Sequence, residues 1–140
     1  DFQKVLVPLA VWEEVSRHRP AALTRGGLHL TRVESVRPLF NELDALSRVL
    51  NLHRGEIQAL QIAEENPGCI LLTDDTAARF AAKSIGVLAH GTIGVLIRAI
   101  RRKQKTKSEV IAVLSDIPKK STLHVRAQLL AEVIDELRNH

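Results

Sequence analysis

The chain has 140 residues, of which 45% are hydrophobic, 26% charged and only 3% aromatic, and its formal net charge is +4. That length suits one domain around a single core built mainly of Leu, Val, Ile and Ala, and no apolar run approaches the ~18 residues needed to span a bilayer or reads as a signal peptide. The one cysteine, Cys69, excludes an internal disulfide and a cysteine-built zinc site, and it suits a reducing cytoplasm.

In chain order, residues 4–7 (KVLV) read as a short buried strand closed by Pro8. Proline is tolerated in the first turn of a helix, and Val11, Trp12 and Val15 then recur at helical spacing through Ser16. Residues 19–27 form a turn region, and residues 28–33 (LHLTRV) alternate as a half-exposed strand does. Leu39, Leu43, Leu46 and Leu50 mark one face of a helix over residues 38–50. After a break at residues 51–55, Ile57, Leu60, Ile62 and Ala63 continue helical to the stop Asn66-Pro67-Gly68.

The next stretch, CILLTDDTAARFAAK, predicts a strand over residues 69–73 and a helix from Asp75 to about Ser84. Gly86 then precedes a short strand over residues 87–89. Gly91-Thr92 begins a helix carrying Ile93, Val95, Leu96, Ile97 and Ile100. Ser108 is placed to cap a helix with Val110, Ile111, Val113 and Leu114, ended by Pro118. A last helix, residues 123–138, carries Leu123, Ala127, Leu130, Ile134 and Leu137 on one stripe. The expected organisation is one domain over residues 1–140, with residues 119–140 as a C-terminal amphipathic helical extension that packs on the sheet or forms a dimer interface.

Apolar strands alternating with helices predict an α/β fold with a parallel sheet covered on both faces. Ligands of such sheets sit outside the carboxyl ends of the strands, where Asp74 and Asp75 fall. One aspartate there is explained by helix capping, worth about 0.5–2 kcal/mol; two adjacent ones also suggest a site. Glu13 and Glu14, on the helix after the first strand, and Glu56, at the start of another, are surface carboxylates taken singly. Together with the aspartates they would make a hard, oxygen-rich pocket suited to Mg²⁺ or Mn²⁺. The six histidines are scattered, with no metal-binding pair at helical spacing; His90 alone falls at a strand end. No phosphate loop or nucleophile elbow is present, and Cys69 reads as inert core.

The positive charge is uneven: Arg98, Arg101, Arg102, Lys103, Lys105 and Lys107 follow closely on one another. Such a run either neutralises phosphates of a nucleic acid or is a solvated helix end.

The segments VLVPLAVWEEV and GEIQALQIAEENPGCILLTDDTAARFAAKSIGVLAHGTIGVLIRAI closely resemble the PIN-domain superfamily, in particular a VapC-related branch of predicted nucleic-acid-binding proteins. The resemblance covers about residues 3–115. It implies a three-layer α/β/α fold and a metal-dependent ribonuclease using Mg²⁺ or Mn²⁺, often the toxin paired with an antitoxin protein and often a homodimer. By that resemblance the catalytic acids are Glu14, Glu56 and Asp75, the metal ligands are these three with Asp74 in support, and Arg79 matches a basic position of the branch. RNA would be held by Arg79, Arg98, Arg101, Arg102, Lys103 and Lys105. Two departures accompany the match. The family opens with a central strand bearing an aspartate, and nothing of that kind precedes Lys4. A preceding segment is therefore expected, without which the sheet would have a hole. The turn after Asp75 also lacks the acidic-aromatic pair of typical toxins. The alternatives are a catalytically degenerate PIN-fold module that binds nucleic acid or a protein partner, and a small-molecule binder at the same sheet end.

Overall fold

Short apolar runs separated by amphipathic segments become strands and helices in alternation. The computed structural model describes residues 4–24, 26, 27, 29–120 and 126–140. The order is β1 (Val5–Pro8), α1 (Leu9–His18), β2 (Leu30–Val33), α2 (Asn41–Val49), α3 (Arg54–Glu65), β3 (Ile70–Leu72), α4 (Thr76–Ser84), β4 (Leu88–His90), α5 (Thr92–Arg101), α6 (Lys107–Lys120) and α7 (Ala127–Asn139), with a 3-10 turn at Pro20–Leu23. Leu28 and Leu123, which the sequence assigns to a strand and a helix, lie outside the described residues.

All strand pairing is parallel: β1 with β2 in the register Val5↔Leu30, and β3 with β4 in the register Ile70↔Leu88. Among the described residues these pairs form two separate two-stranded sheets instead of one continuous sheet. Helix α3 packs against β1 and also against β3, so the two pairs share one helical cover. Pro8 closes β1 as its last ladder residue, opposite Val33, and stands at the N-cap of α1. An edge strand tolerates it because its missing N–H costs no ladder bond on the open side.

The chain divides into two compact units, one running to Gly91 and the other covering Thr92–His140. In the first, Leu43, Leu52, Leu60, Leu71, Ala81 and Ala82 form the core, so α2, α3 and α4 pack around β3. The buried Gln61 side chain donates to the Arg37 carbonyl at 2.9 Å, and Ser35 Oγ donates to Glu65 Oε1 at 2.6 Å, tying the loop before α2 to α3. Gly86 turns the chain from α4 into β4 at φ +79, a backbone conformation that side chains disfavour. In the second unit Val110, Leu114, Ile117 and Leu130 are buried together, with Ile93, Leu96, Ile100, Ile134 and Leu137 packed around them.

Several local expectations are corrected. The cap of α6 is Thr106, not Ser108: Thr106 N donates to Glu109 Oε2 and Glu109 N donates to Thr106 Oγ1, each at 3.1 Å, the reciprocal arrangement of a capping box. Helix α6 continues through Pro118 to Lys120 instead of ending there: the proline forgoes the bond an N–H would make to the Leu114 carbonyl, while Leu114 and Ile117 stay buried in the second core. Cys69 is exposed, not core. Its N–H bonds back to the Asn66 carbonyl at 3.1 Å, so it belongs to the turn before β3. On α7 the buried stripe begins at Leu130, and Ala127 is exposed.

Candidate functional site

Helix α1 begins without a side-chain cap of its own. Its Ala10 N–H instead donates to Oε1 of Gln58, on α3, at 2.8 Å. Gly55 lets the first turn of α3 approach α1: a Cβ at that position would lie 3.1 Å from Val11 Cγ2. The two helix starts are thereby held side by side. A carboxylate one turn along α1 and another in the first turn of α3 then reach common ground.

That ground is a cleft of about 520 Å³, wholly within the first unit, whose walls include Glu13, Glu14 and Arg17 of α1, His53, Arg54 and Glu56 at the start of α3, and Leu72 and Thr73 at the carboxyl end of β3. Its position outside a strand end is where parallel α/β folds place ligands. Glu14 is exposed and Glu56 half-buried. One oxygen of Glu56 already has a partner, since its Oε2 accepts the His53 N–H at 2.8 Å. That bond fixes the carboxylate at the cleft wall.

The aspartate pair is engaged differently. Asp75 is the N-cap of α4, and its Oδ1 accepts the Ala78 N–H at 2.7 Å. Its own N–H donates to Thr73 Oγ1 at 3.2 Å. Asp74 is exposed and extends towards Gly91, where a Cβ would meet Arg79 Nη1 at 2.7 Å and Asp74 Oδ1 at 2.8 Å. The absence of a side chain at Gly91 thus makes room for both groups. Neither aspartate belongs to the walls of the cleft that Glu14 and Glu56 line.

The structure therefore brings Glu14 and Glu56 into one cleft, and places Asp74 and Arg79 against Gly91. Among the described residues no group of three or more His, Cys, Asp or Glu stands close enough together to hold a metal ion. The four-carboxylate pocket anticipated from Glu14, Glu56, Asp74 and Asp75 is not assembled, because Asp75 is turned into the α4 backbone and Asp74 towards Gly91. The carboxylates lining the cleft are Glu13, Glu14 and Glu56; Glu14 and Glu56 offer hard oxygen donors, the chemistry that Mg²⁺ and Mn²⁺ favour, as part of a coordination shell. Arg17 and Arg54 are wall residues not singled out from sequence. For Arg17 the signal was helical spacing, three residues after Glu14; Arg54, two before Glu56, carried no such signal.

Arg98, Arg101, Arg102, Lys103 and Lys105 belong to the other compact unit, at the end of α5 and in the turn into α6. Arg98 is half-buried, and residues 101–109 are exposed without interruption. No helix among the described residues is long and apolar enough to cross a membrane.

A family model described as a PIN domain matches residues 1–139. No curated protein and no solved structure matches the chain.

Proposed function

The chain belongs to the PIN-domain family, whose members are generally nucleases, and from that premise we propose that it hydrolyses RNA phosphodiester bonds with the help of Mg²⁺ or Mn²⁺. The observation that carries the reading is the shared cleft: two helix starts, pinned through Gln58 and Gly55, direct Glu14 and Glu56 to one strand end. These two carboxylates are the groups that would hold the cation. Asp75, the α4 N-cap just beyond the Thr73 that lines the cleft, is the further carboxylate of this proposal. A divalent cation supplies Lewis acidity towards the phosphodiester and acidifies its bound water. Arg17 and Arg54, on the same wall, balance the charge of a phosphate entering between the carboxylates. Assembly as a cytoplasmic homodimer, and pairing with an antitoxin protein, belong to the same proposal.

A second reading is a catalytically degenerate module that binds nucleic acid or a protein partner. The incomplete donor set among the described residues favours it.

The test is cleavage of single-stranded and structured RNA in Mn²⁺, with EDTA and Glu14→Gln as controls. Cleavage that falls at least a hundredfold in both controls is the expected result. Cleavage that survives Glu14→Gln would move the site elsewhere, and a folded protein that never cleaves would leave the binding module.

A further inference from the structure

The second unit carries a feature that the acidic cleft does not use. Helices α5 and α6 pack through Ile93, Leu96, Ile100, Val110 and Leu114, and the turn between them is fixed by its own backbone. Lys103 adopts φ 58, its N–H donates to the Ile100 carbonyl at 2.9 Å, and the Gln104 and Lys105 N–H groups both reach the Ala99 carbonyl, at 2.9 and 3.3 Å. At the far side, Thr106 and Glu109 close the start of α6 reciprocally. The result is a helical hairpin with a pre-organised tip.

The tip's chemistry is one-sided. Residues 101–109 read RRKQKTKSE and are all exposed. They contain no apolar side chain, and the one acid, Glu109, accepts a backbone N–H. Lys103, Lys105 and Lys107 line a single shallow depression of about 350 Å³, together with Ile100 and Glu109 among others. The three lysines therefore share one surface feature. Arg98 and Arg102 have interactions of their own within the protein, so the set that counts is Arg101, Lys103, Lys105 and Lys107.

Three kinds of macromolecule attract such a tip. An anionic bilayer surface attracts Lys and Arg at about 1 kcal/mol each, but firm seating of a basic helix also uses an apolar face sunk among the acyl chains, and the tip has none. A protein interface is built on an aromatic or aliphatic centre and is poor in lysine, which again does not fit. A nucleic-acid backbone needs only closely spaced cations. The chain has no Phe, Tyr or Trp after Phe80, and residues 101–109 have no aromatic ring of any kind, so bases find no stacking platform at the tip.

We infer that the α5–α6 hairpin is a sequence-blind phosphate-backbone docking tip, binding single- and double-stranded nucleic acid alike through Arg101, Lys103, Lys105 and Lys107. The inference rests on the nucleic-acid reading above and assigns that partner a surface distinct from the acidic cleft.

The experiment is fluorescence anisotropy of the full chain, in EDTA so that no cleavage intervenes, with one mixed sequence as RNA strand, RNA duplex and DNA duplex across a salt series. Four phosphate contacts give a slope of log K against log salt of about −3.6 on duplex DNA and about −2.8 on a single strand. Lys103→Gln/Lys105→Gln/Lys107→Gln is expected to weaken all three probes more than tenfold and to flatten the slope to about −1. Lys4→Gln/Lys83→Gln/Lys119→Gln removes equal charge from exposed positions outside residues 101–109, Lys119 lying at the opposite end of α6 from the tip, and is expected to cost less than threefold. Equal losses in the two triple variants would reduce the effect to net charge and overturn the proposal. So would tighter binding to phosphatidylserine vesicles than to nucleic acid, or a salt-independent wild type. A chain that never cleaves RNA but loses binding on the hairpin substitutions leaves the tip in place and sinks only the nuclease reading.

Discussion

Asp75 joins a structural duty to a proposed chemical one, and the two are separable by substitution. Its Oδ1 accepts the Ala78 N–H, so Asp75→Ala removes an N-cap and is expected to cost about 0.5–2 kcal/mol. Asp75→Asn keeps an acceptor at the same place and is expected to cost only a few tenths of that in urea unfolding, while RNA cleavage falls at least tenfold. A stability loss as large for Asn as for Ala would show that the charge serves the helix alone. The existence of a cap at this position was legible, because a carboxylate between an apolar run and an alanine-rich helix has few other local uses. Which of Asp74 and Asp75 would fill it was not, since that depends on the ψ at which the strand ends. At α6 the signal was present and overlooked: Thr106 stands three residues before Glu109, the spacing of a reciprocal cap, and outranks the nearer Ser108. Cys69 looks like core because four apolar residues run together from it. The turn at Asn66-Pro67-Gly68 uses its N–H before the ladder begins.

At the scale of elements, α3 is the piece on which the first unit depends. It packs on α1, α2 and α4 and against strands of both sheets, and Leu60 at its centre is fully buried. Leu60→Ala is expected to destabilise the fold by about 2–5 kcal/mol, through lost burial and the cavity left behind. Chemical denaturation would measure it. Because Glu56 and Gln58 ride on the same helix, the substitution is also expected to loosen the cleft. A Leu60→Ala protein as stable as wild type would refute the assigned core. The helices and strands themselves were legible from period and punctuation: leucines at helical spacing in α2, the Asn-Pro-Gly stop after α3, short branched runs for β1 and β3. Pro118 shows the limit of punctuation: the helix runs through it although the bond to the Leu114 carbonyl is lost, while Leu114 and Ile117 stay buried.

Across the whole molecule, the excess of positive charge falls in one unit: residues 1–91 carry 10 Lys and Arg against 11 Asp and Glu, and residues 92–140 carry 10 against 5. The carboxylate cleft belongs to the residues up to Gly91, and the lysine-lined depression to Thr92–His140. Composition and charge runs announced both features, and strand–helix alternation announced the parallel pairing. Convergence was harder to read. Glu14 and Glu56 are 42 positions apart in the chain, and their meeting depends on the Gln58 side chain and the bare Cα of Gly55, neither of which carries a motif. The division of the strands into two pairs was likewise invisible to patterning, which reports that a residue is apolar but not which strand lies beside it.

That division has a consequence for how the protein breathes. Every one of β1 to β4 has a neighbour on one side only among the described residues, so alternate peptide groups along each strand lack a ladder partner. In deuterium-uptake mass spectrometry, these short apolar segments should label early, ahead of the amides around Leu60 and Ala81, although all are packed against the same helices. Uniformly slow labelling of β1 and β3 would mean that their free sides are covered in solution. In most parallel α/β proteins the strands are the last part to take up deuterium; in this one they are expected to be among the first.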